Sequence, residues 1–224
     1  MEWRVFFDVQ RLDAKTADLV SVGEINRLDT EERCDEYFVL KDPQFGLKLR
    51  SAGSEAGALL ELKLRKLRKR RGAEKWNKVV RANVQMISNS SELRTLLVQS
   101  LTTHAEGKYA QSILECAQAV RNAPEIVKIG VLKTRKMKML NGFPFEVVHL
   151  EFYLNIPSAV IFQCQSVCFE GLYWKNGEEV MESILRQDNT ATVAGYPEFL
   201  YSIYNKNRSR VGPDGNENVD MDRT

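Results

Sequence analysis

The chain is poor in the residues that make a protein disulfide-stapled, zinc-bound or membrane-spanning. Only four of its 224 residues are cysteine, namely Cys34, Cys116, Cys164 and Cys168, and none belongs to the close-set pair of a zinc site. Cys164 and Cys168 sit four apart on an expected strand, about 13 Å along its axis, too far to share a metal. Four reduced thiols fit a cytoplasmic location, and residues 1–10 lack the charged-then-apolar layout of a secretion signal. No apolar run is long enough to cross a bilayer, so no membrane partner is expected. The absence of a glycine-rich phosphate loop excludes the P-loop and dinucleotide-binding readings, and no internal repeat is present. Net charge is also scarce: 32 Lys/Arg against 30 Asp/Glu leave +2. The protein is therefore not a polycation as a whole, and its 43% hydrophobic content is enough for a sizeable core.

Basic charge is instead concentrated locally. Residues 63–71 hold seven Lys/Arg in nine positions. The wider stretch 46–71 reads GLKLR, then a Gly/Ser/Ala-rich connection, then LELKLRKLRKRR. Lys48 and Arg50 are two apart, as are Glu61, Lys63 and Arg65. On a strand, alternate residues share a face, so these charges line one side while Leu47, Leu49, Leu62 and Leu64 line the other. Two arrangements follow. In the common one the leucines point inward and the charges meet water. In the inverted one the leucines pack outward beneath helices, and the basic face lines an enclosed cavity. Such a cavity has to bind anions, because buried unpaired charge is costly.

The remaining segments set the architecture. Residues 2–9, 34–40, 72–84, 125–139, 143–154 and 158–170 alternate or are rich in aromatic and β-branched residues, and read as strands. Within 125–139, Val127, Ile129, Val131, Lys133 and Arg135 share a face that passes from apolar to basic. Asn141-Gly142 is a hairpin signal. Residues 13–20 and 178–187 read as short helices. Leu93, Leu96, Leu97 and Leu101 form a helical stripe begun at Ser90–Ser91, and Gly107 separates it from a second helix over 109–120. Residues 195–204 form a short aromatic segment. Residues 205–224 are polar and are expected to be a disordered tail. Seven or eight strands joined mostly by hairpins, with helices between two halves, predict an α+β protein built on a closed antiparallel β-barrel.

Seven short segments, in order, resemble the CYTH superfamily, the triphosphate tunnel metalloenzymes. Asp35-Glu36-Tyr37-Phe38 looks like the family's D-x-Y-[YF] strand, and Gly46 to Arg50 like its L-R-[IL]-R strand. Glu61-Leu62-Lys63 is similar to the strand carrying a buried lysine, and Lys133-Thr134-Arg135 resembles the later K-x-R strand. Val148 to Glu151 sits where the family has an aspartate after an apolar strand. Val167 to Glu170 sits where it has E-x-E, and Gly195 to Leu200 looks like the closing S-Y-x-x-L-L segment. The resemblance spans residues 1–204. It implies an eight-stranded antiparallel barrel whose tunnel holds a triphosphate through Lys48, Arg50, Lys63, Arg65, Lys133 and Arg135. It also implies a divalent metal held by Glu61, Glu151 and Glu170, with Glu2 as a further carboxylate.

The chain departs from the family at the metal side. The family opens with E-x-E-x-K, whereas here the strand reads Glu2-Trp3-Arg4-Val5-Phe6, and Cys168 stands in the first position of the later E-x-E. Two expected carboxylates are missing, so at most one Mg²⁺ or Mn²⁺ is expected rather than two. The leading expectation is a basic tunnel that binds a triphosphate-bearing small molecule or polyphosphate, with weak metal-dependent triphosphatase activity. The alternatives are a catalytically inactive phosphate-ligand sensor or adaptor, and an RNA 5′-triphosphate binder that also uses the run at 66–71. His149, and the aromatic cluster Tyr196, Phe199, Tyr201 and Tyr204, are expected to be structural.

Overall fold

The computed structural model describes residues 1–7, 30–40, 42–50, 58–70, 72–92, 95–96, 99, 127–140, 143–154, 160–170, 182, 185–186 and 191–208. Among the described residues these elements follow one another: β1 (Glu2–Phe7), β2 (Thr30–Phe38), β3 (Phe45–Arg50), β4 (Leu59–Arg68), β5 (Glu74–Asn83), α1 (Val84–Asn89), β6 (Lys128–Leu140), β7 (Phe143–Leu154), β8 (Val160–Glu170), β9 (Thr192–Val193) and α2 (Tyr196–Arg208). The strands pair antiparallel in the order β5-β4-β3-β2-β6-β7-β8-β1-β9, and β1 also pairs with β5. The eight long strands thereby close into a barrel. The closing seam is short, a single pair between Glu2 and Glu74. Below it β9 pairs with Val5 and Phe6 on the same edge of β1, which satisfies backbone groups that the seam leaves free.

The barrel is built inside out over half its height. Leu47, Leu49, Leu60 and Leu62 of β3 and β4 point outward and pack with Phe38, Phe45, Val80 and Ile87. Ile87 belongs to α1, which lies over this face. Asn83 caps that helix, its side chain accepting from the Gln85 amide at 2.8 Å. The cap ends β5 at Asn83, one residue before the expected strand end at Val84, and starts the helix there. A second outward cluster, around Trp3, Val5, Phe7, Val167 and Phe169, covers β1 and β8.

Only one end of the interior is apolar. There Phe6, Ile129, Val131, Leu150 and Phe152 point inward and receive Phe199, Leu200 and Ile203 of α2. Phe6 stacks on Phe199 with centroids 3.8 Å apart. The segment expected to be merely aromatic is thus a helix whose apolar stripe fills one end of the barrel. It continues to Arg208, past the expected boundary at 204. Its N-terminal end is tied to the β4–β5 hairpin, where Arg68 donates to Glu198. Gly72 turns that hairpin with φ +86°, and a Cβ there would come within 2.3 Å of Val193, so only glycine fits.

The expected helices at 13–20 and 109–120, the turn at Asn141-Gly142, Cys116 and residues 209–224 lie outside the described residues. Residues 140 and 143 pair directly, as a two-residue hairpin requires. Glu182 and Arg186 form an i,i+4 pair at 3.1 Å within the expected helix at 178–187. No helix of the described residues is long and apolar enough to cross a membrane.

The inverted packing sets opposite costs for neighbouring residues. Leu62→Ala is expected to destabilise the protein by about 2–5 kcal/mol, while Lys63→Ala changes stability by about 1 kcal/mol or less. Urea denaturation of both variants checks the order. The reverse order would mean that β4 presents its other face to the core.

Candidate anion-binding cavity

The half of the barrel that α2 does not fill is a cavity of about 450 Å³. Seven strands and Tyr196 of α2 line it with nine Lys/Arg and only four Glu. Five of the six cations expected at the site line it: Lys48, Arg50, Lys63, Lys133 and Arg135. Strand alternation places them, since each lies two or four residues from another inward position on its own strand. Val131 and Ile129 continue the face of Arg135 and Lys133 down into the apolar end.

Arg65 requires a correction. It is absent from the lining; its Nη1 donates to Glu74 at 2.7 Å and lies 3.8 Å from Glu198. A register irregularity between Arg65 and Leu67 lets Arg65 and Arg68 both reach Glu74 and Glu198, although they are three apart. The charge on Arg65 therefore joins β5 to α2.

Asp35 is the hub of the cavity floor and is fully buried. Its Oδ2 accepts hydrogen bonds from Lys48 Nζ and Lys133 Nζ, each at 2.9 Å. Its Oδ1 lies 3.0 Å from Arg33 Nε. β2 runs between β3 and β6, and Lys48 and Lys133 are the diagonal neighbours of Asp35 on those strands. Lys133 also donates to the Tyr37 hydroxyl at 2.7 Å and stands 4.2 Å from the Tyr196 ring centroid. Burial opposes ionisation of Asp35, but Lys133, Lys48 and Arg33 outweigh it and hold the carboxyl well below the usual range. Burial pushes the Lys48 and Lys133 ammonium groups down, against the pull of Asp35. Three cations therefore share one carboxylate.

A second cluster joins β1, β7 and β8. Arg4 Nη1 donates to Glu146 at 3.2 Å and to Ser166 at 3.0 Å, Nη2 donates to Glu146 at 3.2 Å, and Nε donates to Glu2 at 3.3 Å. Arg135 Nε lies 2.7 Å from the other oxygen of Glu146. Burial works against ionisation of Glu146, yet Arg4 and Arg135 keep it below the usual carboxylate range. Glu61 is held more loosely. Its Oε1 is 3.7 Å from Lys48 and 3.8 Å from Lys63. Its Oε2 is buried, 3.8 Å from Arg81, and accepts no hydrogen bond among the described residues.

These contacts decide how well a divalent metal fits. Such an ion needs about six oxygen ligands close together. Of the three expected carboxylates, Glu61 lines the cavity but sits among cations. Glu151 requires a correction: it lies on the outer face of β7, where it accepts from Tyr153 and from Gln163 at 3.1 Å and lies 3.7 Å from His149. Glu170 pairs with Glu2 in the register of β1 and β8. No group of three or more His, Cys, Asp or Glu among the described residues is placed to hold a metal ion. The residues present do not fit a divalent metal site.

The expected set lacked the charged lining residues Arg4, Arg33, Glu74, Lys75, Lys78 and Glu146, and the buried Asp35 that Lys48 and Lys133 pair with. Asp35 and Arg33 share alternation with Tyr37, so a strict two-residue count along β2 brings all three inward. Glu146 shares parity with Val148, Leu150 and Phe152, the series that runs into the apolar end. That series, followed upward, selects Glu146 and rejects Glu151.

No protein-family model matches the chain, and no curated protein does either. Among solved structures, the protein PH1012 of Pyrococcus horikoshii is 16% identical, with a TM-score of 0.45 over 88% of this chain and 98% of that one. A second P. horikoshii protein, PH1819, is 11% identical, with a TM-score of 0.43 over 90% and 97%. A Bacillus halodurans protein described as a putative adenylate cyclase is 14% identical, with a TM-score of 0.40 over 83% and 87%. Likenesses this loose assign neither a ligand nor a reaction.

Removing Asp35 strands its cations. Asp35→Ala is expected to cost about 3–5 kcal/mol, the scale for breaking a buried ion pair. The folded-state pKa of Asp35 is depressed, so its contribution is complete above the unfolded value of about 4 and is lost as pH falls below it. Urea denaturation at neutral and acid pH should show the gap between wild type and variant narrowing in acid. A gap that stays constant would contradict the pairing.

Proposed function

We propose that the barrel is a receptor for a compact polyanion, specifically a triphosphate-bearing small molecule or short polyphosphate. The observation that carries this reading is the charge of the half-open cavity, whose lining holds nine Lys/Arg against four Glu, with Asp35 buried beside Lys48 and Lys133. Like charges gathered this closely repel, and those farthest from the mouth are screened least. An entering anion relieves that repulsion and gains charge-assisted hydrogen bonds. Arg50 and Lys63 are each about 30% exposed in their side chains, so they can meet the ligand near the mouth. Lys48 and Lys133 then neutralise its inner end from beside Asp35. The order of the basic strands is also the one that resembles the CYTH superfamily.

Binding is favoured over hydrolysis within this reading. Phosphoryl transfer needs a positioned nucleophile as well as charge neutralisation. Glu61 Oε2 is buried without a hydrogen-bond partner among the described residues, and three cations stand 3.7–3.8 Å from this carboxylate, so it is not placed to position a water. Glu2 and Glu146 are engaged by Arg4. A sensor or adaptor role suits this arrangement better than fast turnover.

Calorimetric titration with tripolyphosphate, ATP and thiamine triphosphate tests the proposal, with orthophosphate as the weak control. Saturable binding that strengthens with phosphate number is expected. Lys63→Ala should weaken it by about 1–3 kcal/mol, the range for charge-assisted hydrogen bonds. Affinity should also fall as pH rises above neutral, because burial makes Lys48 and Lys133 release their protons earlier than exposed lysines. Absence of binding to any of the three compounds would overturn the reading. Phosphate release in the same mixtures would move it from receptor to enzyme.

A further inference from the structure

The cavity carries carboxylates as well as cations, and the way they are engaged says in what form the ligand arrives. This inference rests on the polyanion reading above. A cavity that itself holds the divalent cation of a phosphate compound needs one or two carboxylates not already engaged. Here a protein cation already stands where carboxylates converge. Arg4 comes from β1 and Glu146 from β7, with Ser166 of β8 between them; the guanidinium donates to Glu2, to Glu146 and to Ser166. Arg135 takes the remaining oxygen of Glu146. Arg4 is only 6% exposed and packs 4.7 Å from the Tyr196 ring centroid, so neighbours on several sides fix it in place. Glu61 has three cations 3.7–3.8 Å away, and Glu74 accepts from Arg65 and Trp76.

We infer that this cavity takes its polyanion bare, without a divalent cation, and that the Arg4 guanidinium is the fixed positive charge standing in for one. A guanidinium cannot dissociate or be chelated, and it stays protonated at any physiological pH. Binding is then insensitive to chelators. Added Mg²⁺ weakens it, because Mg²⁺ complexes the free polyphosphate and offers the cavity a less charged ligand.

Titration of the wild-type protein with tripolyphosphate, once in EDTA and once in excess Mg²⁺, decides the question without any variant. The expected result is tighter binding in EDTA. Binding that appears only with Mg²⁺, or strengthens about tenfold with it, overturns the inference and leaves the polyanion reading standing. Binding in neither condition removes the polyanion reading itself. Arg4→Gln adds a second arm: with Glu2 and the Oε1 of Glu146 freed of Arg4, calorimetry should detect saturable Mg²⁺ or Mn²⁺ binding that the wild type lacks. A folded variant that binds neither ion would show that Arg4 does not occupy a cation position.

Discussion

The structure depends on a single requirement: positive charges brought inside a barrel must be compensated there. Asp35 meets it by accepting from Lys48 and Lys133 and standing against Arg33. The hub works because β2 is the strand between β3 and β6, so one carboxylate reaches cations from both sides. Compensation is incomplete: the cavity lining keeps a surplus of Lys/Arg over Glu. Replacing such a network with apolar residues often raises stability, so the network is not what the fold needs for stability alone.

The inverted packing follows from the same requirement. With charge inside, the leucines of β3 and β4 must find cover outside, and Ile87 of α1 supplies part of it. A barrel that holds charge throughout would have little interior left to stabilise it. Here the interior is divided, with charge at one end and α2 packed against Phe6, Leu150 and Phe152 at the other. The apolar end provides core, and the charged end provides the site.

Much of this was legible in the sequence. Leucines alternating with bases on β3 and β4 carried those strands, their pairing and the inward side of Lys48, Arg50 and Lys63, and the apolar-to-basic face of β6 did the same for Lys133 and Arg135. The antiparallel order followed from hairpin spacing. What alternation could not supply was register across irregular pairs. The irregularity after Arg65 redirects that side chain to Glu74, and nothing local marks it. Glu151 and Glu146 differ only in strand parity, and adjacent Val147 and Val148, both buried, obscure which face is inner. The helix at 196–208 was hidden because its aromatic residues have high strand propensity, while its stability comes from filling the barrel end.

The stacking of Phe6 on Phe199 has a kinetic meaning. The first strand of the chain closes the cylinder between β8 and β5 and shares its packing with the last helix, so the ends of the fold are mutual prerequisites. During synthesis β1 emerges early and must wait for partners encoded some 160 to 190 residues later, a separation that slows folding through the entropy of closing so long a loop. Until β8 and then α2 have emerged, the hairpins between can form, but the cylinder is neither closed nor filled at its apolar end.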